Sequence, residues 1–340
     1  MSRKNIIVSP SGQLYGSEYV LLDFLDGSAL QYKIYAPKNS TFFYKLQEDD
    51  FDVKGFKNLP VLYIKLFFEM LIFKKNLYIN EGGHISYVKV LSKLLPKRKF
   101  VVSIRLLEDC NNKLNIIPIN ITLISVSNYI KNEIRTNGKV EVIYDPYKLS
   151  NKIDYNKETN INSGKIVVGI VGRISKSKGG GNLLSIINNL SPIDRGNFEF
   201  NFFGTYDSNS LWFINFKSQL DSLKNFNYNL IGFVNDKVEM YNSFDFLMHL
   251  NKEEPLGRVL FEVIDFNIPF VIFYNGGISE LCTKLDLTEF SADNALEYSN
   301  IMLDKLGDCN NNCEQFLSAK KAIKENFSPL NYAKQIESFL

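Results

Sequence analysis

Short apolar runs alternate with helical patterns along most of the chain. The runs of the first half, each typical of a buried strand, are Asn5–Val8, Leu30–Tyr35, Leu77–Asn80, Phe100–Ile104, Thr122–Val126 and Val140–Tyr144. Helical patterns lie between them at Ser17–Leu25, Ile85–Leu95 and Asn128–Arg135, the last preceded by Ser127 as a good N-cap residue. This alternation predicts a parallel sheet with helices on both faces.

The polar, aperiodic residues 145–164 interrupt the alternation, which then starts again. The strand-like runs of the second half are Lys165–Val171, Phe198–Phe203, Tyr228–Ile231, Phe246–Leu250 and Phe270–Phe273. The helical patterns between them are Asn182–Leu190, Ser210–Leu223, Lys237–Tyr241 and Arg258–Phe266. We therefore predict two Rossmann-like α/β domains, 1–150 and 165–340, joined by a linker at 151–164, with parallel sheets facing an inter-domain cleft. Whether the last helix packs back on the first domain stays open.

Composition excludes several classes of protein. The 340 residues are 45% hydrophobic and 22% charged, which excludes a disordered or collagen-like chain. Four cysteines and two histidines supply neither a disulfide framework nor a zinc site. The first apolar run ends after four residues, so it indicates a strand rather than a signal peptide, and we expect a cytoplasmic protein.

The net charge of +2 is an average over two unlike halves. Residues 1–160 hold 23 Lys and Arg against 16 Asp and Glu, whereas residues 161–340 hold 16 against 21. The split suggests two units with different partners. The most hydrophobic segment, Val61–Ile79, is interrupted by charged residues and does not qualify as a transmembrane span. It predicts a helix packed on the sheet, with a membrane-surface helix as the alternative.

The first candidate site follows the apolar run Lys165–Val171. There the residues Gly172–Gly181 read GRISKSKGGG and precede a helical pattern. Glycines let the backbone approach a phosphate closely, and a helix N-terminus supplies amide donors. Arg173 and Lys178 add two cations, which suits a diphosphate. The spacing fits neither a P-loop nor a dinucleotide fingerprint, and a flexible basic turn is the alternative.

The second candidate site is Glu253–Glu262, with the sequence EEPLGRVLFE. Glu254 falls in the loop after the run Phe246–Leu250, at the sheet edge where ligands bind, and Glu262 falls one turn into the next helix. A carboxylate in that place can accept two hydrogen bonds from a vicinal diol such as a ribose. A solvated pair of glutamates is the alternative, but the Pro-Leu-Gly-Arg-Val-Leu string between them favours a site.

These motifs resemble those of the retaining, nucleotide-sugar-dependent glycosyltransferases of family 4, within glycosyl transferases group 1, which have the GT-B fold. The matching strings are GRISKSKG from Gly172, EPLGRVLFE from Glu254 and the Gly-Gly-x-x-Glu turn at Gly276–Glu280. The resemblance covers nearly the whole chain and is strongest over Ile166–Leu281. It implies a hexosyltransferase that moves a sugar from a UDP- or GDP-sugar to a glycan or lipid-linked acceptor, in bacterial lipopolysaccharide or capsule biosynthesis.

The resemblance also implies roles for individual residues. Arg173 and Lys178 would hold the donor diphosphate and stabilise the leaving nucleotide. Glu254 would contact the donor sugar near the reacting face, and Glu262 would bind the ribose. The other implied donor-binding residues are Gly16 near the phosphate, Val234 against the base, and Gly257, Arg258, Val259 and Leu260 at the sugar and phosphate.

The match has departures from the family pattern. Tyr15 replaces the first glycine of the amino-terminal turn, and His249–Lys252 stands where a Pro-Ser pair is usual. Many members carry a histidine near the acceptor at the tip of a central strand, where this chain has none. Arg105, in the matching region, is one candidate for a position near the leaving group. His84, in a Gly-rich loop, is the remaining candidate for a catalytic histidine, with a structural role as the alternative.

No metal or other cofactor is expected. Asp50-Phe51-Asp52 has the Asp-x-Asp form of a metal-binding pair in another glycosyltransferase fold, but an acidic run around it favours a solvated loop. Arg173 and Lys178 would supply the positive charge instead.

The implied partners are a nucleotide sugar and a glycan or lipid-linked acceptor. A basic first domain would be drawn to an anionic membrane, so we expect peripheral association with the inner face of the cell membrane. Lys93, Lys97, Arg98 and Lys99 would form that surface together with Val61–Ile79. Nucleic acid is not expected as a partner. A nucleotide-sugar epimerase of the same fold and a non-catalytic partner subunit stay open as alternatives.

Overall fold

The chain forms two units, each with one sheet. The computed structural model describes residues 5–150, 165–307 and 309–340, so the predicted linker at 151–164 lies outside the described residues. Unit 1 comprises Met1–Lys148 together with Lys324–Leu340, and unit 2 comprises Leu149–Ile323. In both sheets every hydrogen-bonded pair of strands is parallel.

Unit 1 is built on a seven-stranded sheet. Its strands are β1 (Asn5–Val8), β2 (Tyr32–Pro37), β3 (Val53–Phe56), β4 (Leu77–Ile79), β5 (Phe100–Ile104), β6 (Ile121–Ser125) and β7 (Lys139–Val142). Its first helices are α1 (Gly16–Gly27), α2 (Thr41–Glu48), α3 (Leu59–Phe73), α4 (Ile85–Leu94) and α5 (Asn128–Glu133). The order β3-β2-β1-β4-β5-β6-β7 reverses direction between β1 and β4, which makes a topological switch point there.

Unit 2 is built on a six-stranded sheet. Its strands are β8 (Ile166–Val171), β9 (Phe198–Phe203), β10 (Asn227–Gly232), β11 (Phe246–Met248), β12 (Phe270–Phe273) and β13 (Ser291–Ala292). The following helices are α6 (Gly180–Asn189), α7 (Pro192–Gly196), α8 (Leu211–Ser222), α9 (Lys237–Asn242), α10 (Val259–Asp265), α11 (Gly276–Lys284), α12 (Ala295–Gly307) and α13 (Cys309–Asn326). The order β10-β9-β8-β11-β12-β13 places the switch point between β8 and β11.

The predicted class, two Rossmann-like units with parallel sheets, is confirmed. Four strands, β1, β5, β9 and β12, have the bounds that the apolar runs predict. The helix after Ser127 is also confirmed, because the Ser127 side chain accepts a hydrogen bond from the Ile130 amide. The cleft between the two sheets stays a prediction.

The last helix, α14 (Pro329–Glu337), belongs to unit 1 and packs on α1. A Cβ at Gly27, the last residue of α1, would lie 2.2 Å from the Pro329 carbonyl carbon, so this close approach needs glycine. Tyr32 Oη donates a hydrogen bond to Glu337 at 2.9 Å, and Tyr332 packs edge-on against Phe24. The carboxyl end of the chain therefore completes the core of unit 1.

The apolar segment Val61–Ile79 forms most of α3 and all of β4. Helix α3 buries Leu62, Leu66 and Met70, and Lys74 ends it in the left-handed conformation with φ of 54°. One face of this helix packs inward, as the sequence predicts. Among the described residues, no helix has both the length and the apolar character needed to cross a bilayer.

Candidate functional site

The two motif loops of unit 2 leave neighbouring strands at the switch point. β8 and β11 are paired in parallel, with Phe246 opposite Val168 and Leu247 opposite Gly169. The loop 172–179 follows β8, and the loop 249–258 follows β11. Because the carboxyl ends of parallel strands share one sheet edge, the fold brings these loops together.

The loops meet at a contact between Lys178 and Glu254. Lys178 Nζ lies 2.9 Å from Glu254 Oε2, and Asn251 Nδ2 donates to the same oxygen at 2.7 Å. The Glu254 side chain is 15% exposed. Burial raises the pKa of Glu254, but the charge of Lys178 and the hydrogen bonds from Lys178 and Asn251 outweigh this effect, so its pKa lies below the usual value. Glu254 is therefore a carboxylate at neutral pH.

Glycines hold the two loops close to each other. Gly179 has a φ of +78°, and a Cβ there would lie 2.0 Å from the Leu250 carbonyl oxygen. Asn182 Nδ2, in the first turn of α6, donates to that same carbonyl at 2.9 Å. The backbone thus fixes the loop of Lys178 against the loop of Glu254, and the side-chain contact is preorganised.

The Gly-Gly turn at the start of α11 supports Glu254 from its other side. The Gly277 amide donates to the Glu254 carbonyl oxygen at 2.7 Å. A Cβ at Gly277 would lie 1.9 Å from the Pro255 carbonyl oxygen, and Gly276 has a φ of +70°. The turn at 276–280 therefore packs against the Glu254 loop. The sequence analysis identified this turn only as one of the strings that match the family pattern.

His249 and Asn251 were not predicted as site residues. His249 is buried, its Nε2 lies 3.7 Å from Glu254 Oε2, and this nitrogen has no hydrogen-bond partner among the described residues. Burial lowers the pKa of His249 to about 4, so the ring is neutral at pH 7. Asn251 Oδ1 accepts from the Glu253 amide at 3.0 Å, an Asx turn that positions its amide nitrogen on Glu254. An Asn three residues before the glutamate is a signal that could have revealed this.

Arg173 lies at the start of the same loop and is exposed. Within the described part of the chain, no carboxylate is close enough to form an ion pair with it. The neighbouring Ile174 is buried, and its amide donates to the Thr205 carbonyl at 3.0 Å, which anchors the loop beside the end of β9. Arg173 is therefore a cation next to the switch point that has no counter-charge among the residues the structure describes.

Glu262 forms a separate cluster on α10. Lys237 Nζ and Tyr241 Oη, both on α9, lie 2.5 Å from its Oε1 and Oε2 respectively. Burial raises the pKa of Glu262, but Lys237, the Tyr241 hydrogen bond and Arg258 together bring it below the usual value. Each carboxylate oxygen keeps a second lone pair that can accept a hydrogen bond. Sequence reasoning missed Lys237 and Tyr241, because nothing in their spacing links α9 to α10.

The other predicted donor-binding residues of unit 2 lie around these clusters. Gly257 has a φ of +88°, and a Cβ there would lie 2.6 Å from Ile278 Cδ1. Arg258 and Val259 are half-buried and Leu260 is buried at the start of α10. Val234 follows β10, where Phe233 is 56% exposed. These positions line the carboxyl-end side of the sheet, and their contact with a donor stays a prediction.

In unit 1 the candidate histidine, His84, is buried. His84 ends a short 3-10 turn after β4, and its Nδ1 lies 3.0 Å from Tyr63 Oη. Burial lowers the pKa of His84 to about 4. These contacts fit the structural role that the sequence left open, and the catalytic role stays a prediction. Gly16 begins α1, beside the exposed Tyr15, and its approach to a donor phosphate also stays a prediction.

Arg105, directly after β5, has partners on neighbouring elements of unit 1. It is buried, with Nη1 2.5 Å from Asp145 Oδ1, Nε donating to the Asn80 carbonyl at 2.9 Å and Nη2 3.3 Å from Tyr332 Oη. The expected role of Arg105 near the leaving group stays a prediction. In the structure Arg105 ties the end of β5 to the end of β4 and to α14. Asp50, by contrast, is exposed in the turn between α2 and β3, as predicted for a solvated loop.

The second half of the chain is similar to a known protein family. The profile of glycosyl transferases group 1 matches residues 151–304. No curated protein sequence matches the chain.

Solved structures match over nearly the whole length of both chains. The structure of Anabaena Alr3699/HepE in complex with UDP has 18% identity and a TM-score of 0.75, with 98% of each chain covered. A glycosyltransferase from Rickettsia africae has 15% identity and a TM-score of 0.72, with 99% of this chain and 98% of that chain covered. Sucrose-phosphate synthase from Thermosynechococcus elongatus has 12% identity and a TM-score of 0.67, with 98% of each covered. The chain therefore has the GT-B fold, and its residues 151–304 match the family model of glycosyl transferases group 1.

Proposed function

We propose that this protein is a glycosyltransferase that moves a hexosyl group from a nucleotide diphosphate sugar to a glycan or lipid-linked acceptor, with retention at the anomeric carbon. The observation that carries the proposal is the 2.9 Å contact between Lys178 and Glu254 at the β8/β11 switch point. A nucleotide sugar presents a diphosphate, which favours cations, and a polyol, which favours carboxylate acceptors. This contact offers both groups side by side.

The diphosphate would be held by Lys178 and Arg173. Lys178 is one-third exposed, so its ammonium can turn from Glu254 towards a ligand that carries more negative charge than one carboxylate. Arg173, exposed in the same loop, would add a second cation and bidentate hydrogen bonds. Glu254 would stay fixed by Asn251 and accept hydrogen bonds from hydroxyl groups of the sugar.

The nucleoside would be recognised through α10 and the loop after β10. Glu262, oriented by Lys237 and Tyr241, would accept hydrogen bonds from the two ribose hydroxyls through its remaining lone pairs. Val234 would lie against the base. Gly257 and the first residues of α10 would bring backbone amides towards the sugar and phosphate, where the positive end of the helix dipole favours an anion.

The proposed step needs no protein nucleophile. The acceptor hydroxyl oxygen bonds to the anomeric carbon while the bond from that carbon to the diphosphate oxygen breaks, and the acceptor proton passes to the leaving diphosphate. Attack on the face from which the nucleotide leaves retains the anomeric configuration. Arg173 and Lys178 would stabilise the leaving charge, and one preorganised group of this kind is worth about a hundredfold to a thousandfold in rate.

The setting we propose is bacterial cell-surface polysaccharide biosynthesis, with the protein in the cytoplasm and peripherally associated with the inner face of the membrane. The basic first half of the chain supports the membrane contact. HepE is described in complex with UDP-glucose and with UDP and glucose. Its complexes make UDP-glucose the first donor to test, with GDP-sugars as the comparison.

A donor screen by thermal shift tests the proposal. A donor present at a free concentration of about 100 times its Kd stabilises the fold by about 2.7 kcal/mol. One UDP- or GDP-sugar should therefore raise the Tm of the wild-type protein. Glu253→Gln is the matched control, because Glu253 is exposed beside the site. It should keep the shift, whereas Glu254→Gln should lose most of it.

The same screen, together with analysis of the products formed from the stabilising donor, separates the alternatives. Conversion of a nucleotide sugar to an epimer without an acceptor would identify an epimerase. No stabilisation by any nucleotide sugar would identify a non-catalytic subunit and contradict the proposal.

A further inference from the structure

Helices α3 and α4 of unit 1 turn apolar side chains to the solvent. On α3 these are Val61, Ile64, Phe68, Leu71 and Ile72, each 50–64% exposed, and on α4 they are Tyr87, Val90 and Leu94. We refer to these eight residues as the apolar face. Their spacing of three and four residues places each set on one side of its helix, opposite the buried residues that hold the helix to the sheet.

The two stripes belong to one surface, because α3 and α4 pack against each other. The ring of Tyr63 on α3 stacks on the ring of Tyr87 on α4 with centroids 4.7 Å apart. Tyr63 also bonds His84, directly before α4. Eight neighbouring apolar side chains exceed the scattered exposed residues that a soluble surface normally carries, and such a patch marks an interaction site.

Positive charge surrounds the apolar face. Residues 57–99 hold nine Lys and Arg against two acidic residues, a surplus that equals that of the whole first half of the chain. Both acidic side chains have partners within unit 1. Glu69 is buried and forms ion pairs with Lys33 and Lys75, and Glu81 accepts a hydrogen bond from Ser17. The exposed rim of this surface is therefore basic.

We propose that the apolar face inserts into the surface of an anionic lipid bilayer, with the lysines of the rim against the headgroups. Apolar side chains on one side of a helix and basic residues beside them are the pattern of helices that lie in the membrane interface. A second copy of the chain fits poorly, because it would bring two basic rims together. The inference rests on the proposed function in one respect: a lipid-linked acceptor would be met at that surface.

Vesicle flotation without any nucleotide sugar tests the inference independently of the proposed function. Wild-type protein should float with vesicles of phosphatidylcholine and phosphatidylglycerol, and at least about tenfold less with phosphatidylcholine alone. The variant Ile64→Gln/Phe68→Gln/Ile72→Gln should bind the anionic vesicles at least about tenfold more weakly, because it loses three inserting side chains. The matched control, Leu211→Gln/Ile214→Gln/Leu317→Gln, changes three exposed apolar residues of unit 2 and should bind like wild type.

Two further variants, each of which removes two lysine charges, test the electrostatic part of the binding. Lys93→Gln/Lys97→Gln should weaken binding and reduce its salt dependence, whereas Lys224→Gln/Lys334→Gln, also exposed, should not. Equal binding of wild type and the α3 variant would overturn the inference. So would a wild-type dimer, seen in size-exclusion chromatography, that the α3 variant abolishes without any vesicle binding. The donor thermal shift, measured on the same proteins, is expected to be unchanged in all of them.

Discussion

The buried ion pair between Arg105 and Asp145 gives the clearest test of how unit 1 is stabilised. Both side chains are less than a tenth exposed, and Asp145 provides the only counter-charge in contact with the guanidinium among the described residues. Replacing Asp145 by Asn keeps the shape but leaves the charge of Arg105 buried. Its remaining hydrogen bonds go to Asn80 and Tyr332, which are neutral groups.

The expected cost follows from the burial of the pair. Removing one partner of a buried ion pair destabilises a protein by about 3–5 kcal/mol. For a unit of this size each kcal/mol lowers the Tm by about 2–4 °C, so the transition of unit 1 should fall by about 6–20 °C in differential scanning calorimetry. The control Asp49→Asn breaks the exposed Lys45–Asp49 pair, and it should cost no more than about 0.5 kcal/mol.

A second variant separates the ion pair from simple packing. Arg105→Met/Asp145→Leu removes both charges together, and it should recover part of the stability lost in Asp145→Asn, because no unpaired charge remains. A Tm for Asp145→Asn within the change seen for Asp49→Asn would refute the reasoning.

Two further predictions concern other buried carboxylates. Burial raises the pKa of Glu69, but hydrogen bonds from Lys75, Tyr35 and Lys33 bring it down from 4.5 to about 2, so its stabilisation is complete above about pH 4.5 and is lost as the pH falls towards 2. Glu69→Gln should therefore lower the free energy of unfolding, measured in denaturant titrations, by about 1.5–3 kcal/mol at pH 7. The difference from wild type should shrink below pH 4.5. Glu48→Gln, at an exposed position, is the control, and a pH-independent difference for Glu69→Gln would contradict the assignment. Tyr241→Phe should raise the donor KM about tenfold (about 1.4 kcal/mol) with little change in kcat, and it should reduce the preference for ribose over 2′-deoxyribose donors. The control Tyr228→Phe removes a hydrogen bond from a tyrosine to Asp221 on the surface, and it should change neither the KM nor the preference. An unchanged preference in Tyr241→Phe would show that Glu262 does not bind the ribose.

The arrangement of the unit 2 loops could be predicted from the sequence, because strand ends determine it. Apolar runs locate β8 and β11, and parallel pairing then brings the residues after them to one edge. Lys178 and Glu254 therefore meet although 76 positions separate them. The partners of Glu262 could not be found in this way, since α9 and α10 are joined by packing rather than by strand ends.

Short or half-exposed helices and strands could not be predicted from the sequence patterns either. β3 lies at the sheet edge with its side chains half-buried or exposed, so it shows no apolar run. Helix α2 has eight residues and buries only Phe42 and Leu46. Arg105 illustrates a different limit. Its position directly after β5 was predicted correctly, but the direction of its side chain depends on Asp145 and Tyr332, which lie far away in the sequence.

The most direct test of the central claim is the transfer rate of Lys178→Ala, measured with the donor that the thermal-shift screen identifies. Lys178 is the cation that contacts Glu254 and that we place on the leaving diphosphate. Its removal should lower kcat by at least about a hundredfold, while Lys224→Ala, an exposed lysine outside the site, should keep the wild-type rate. A Lys178→Ala enzyme with wild-type turnover would contradict the account.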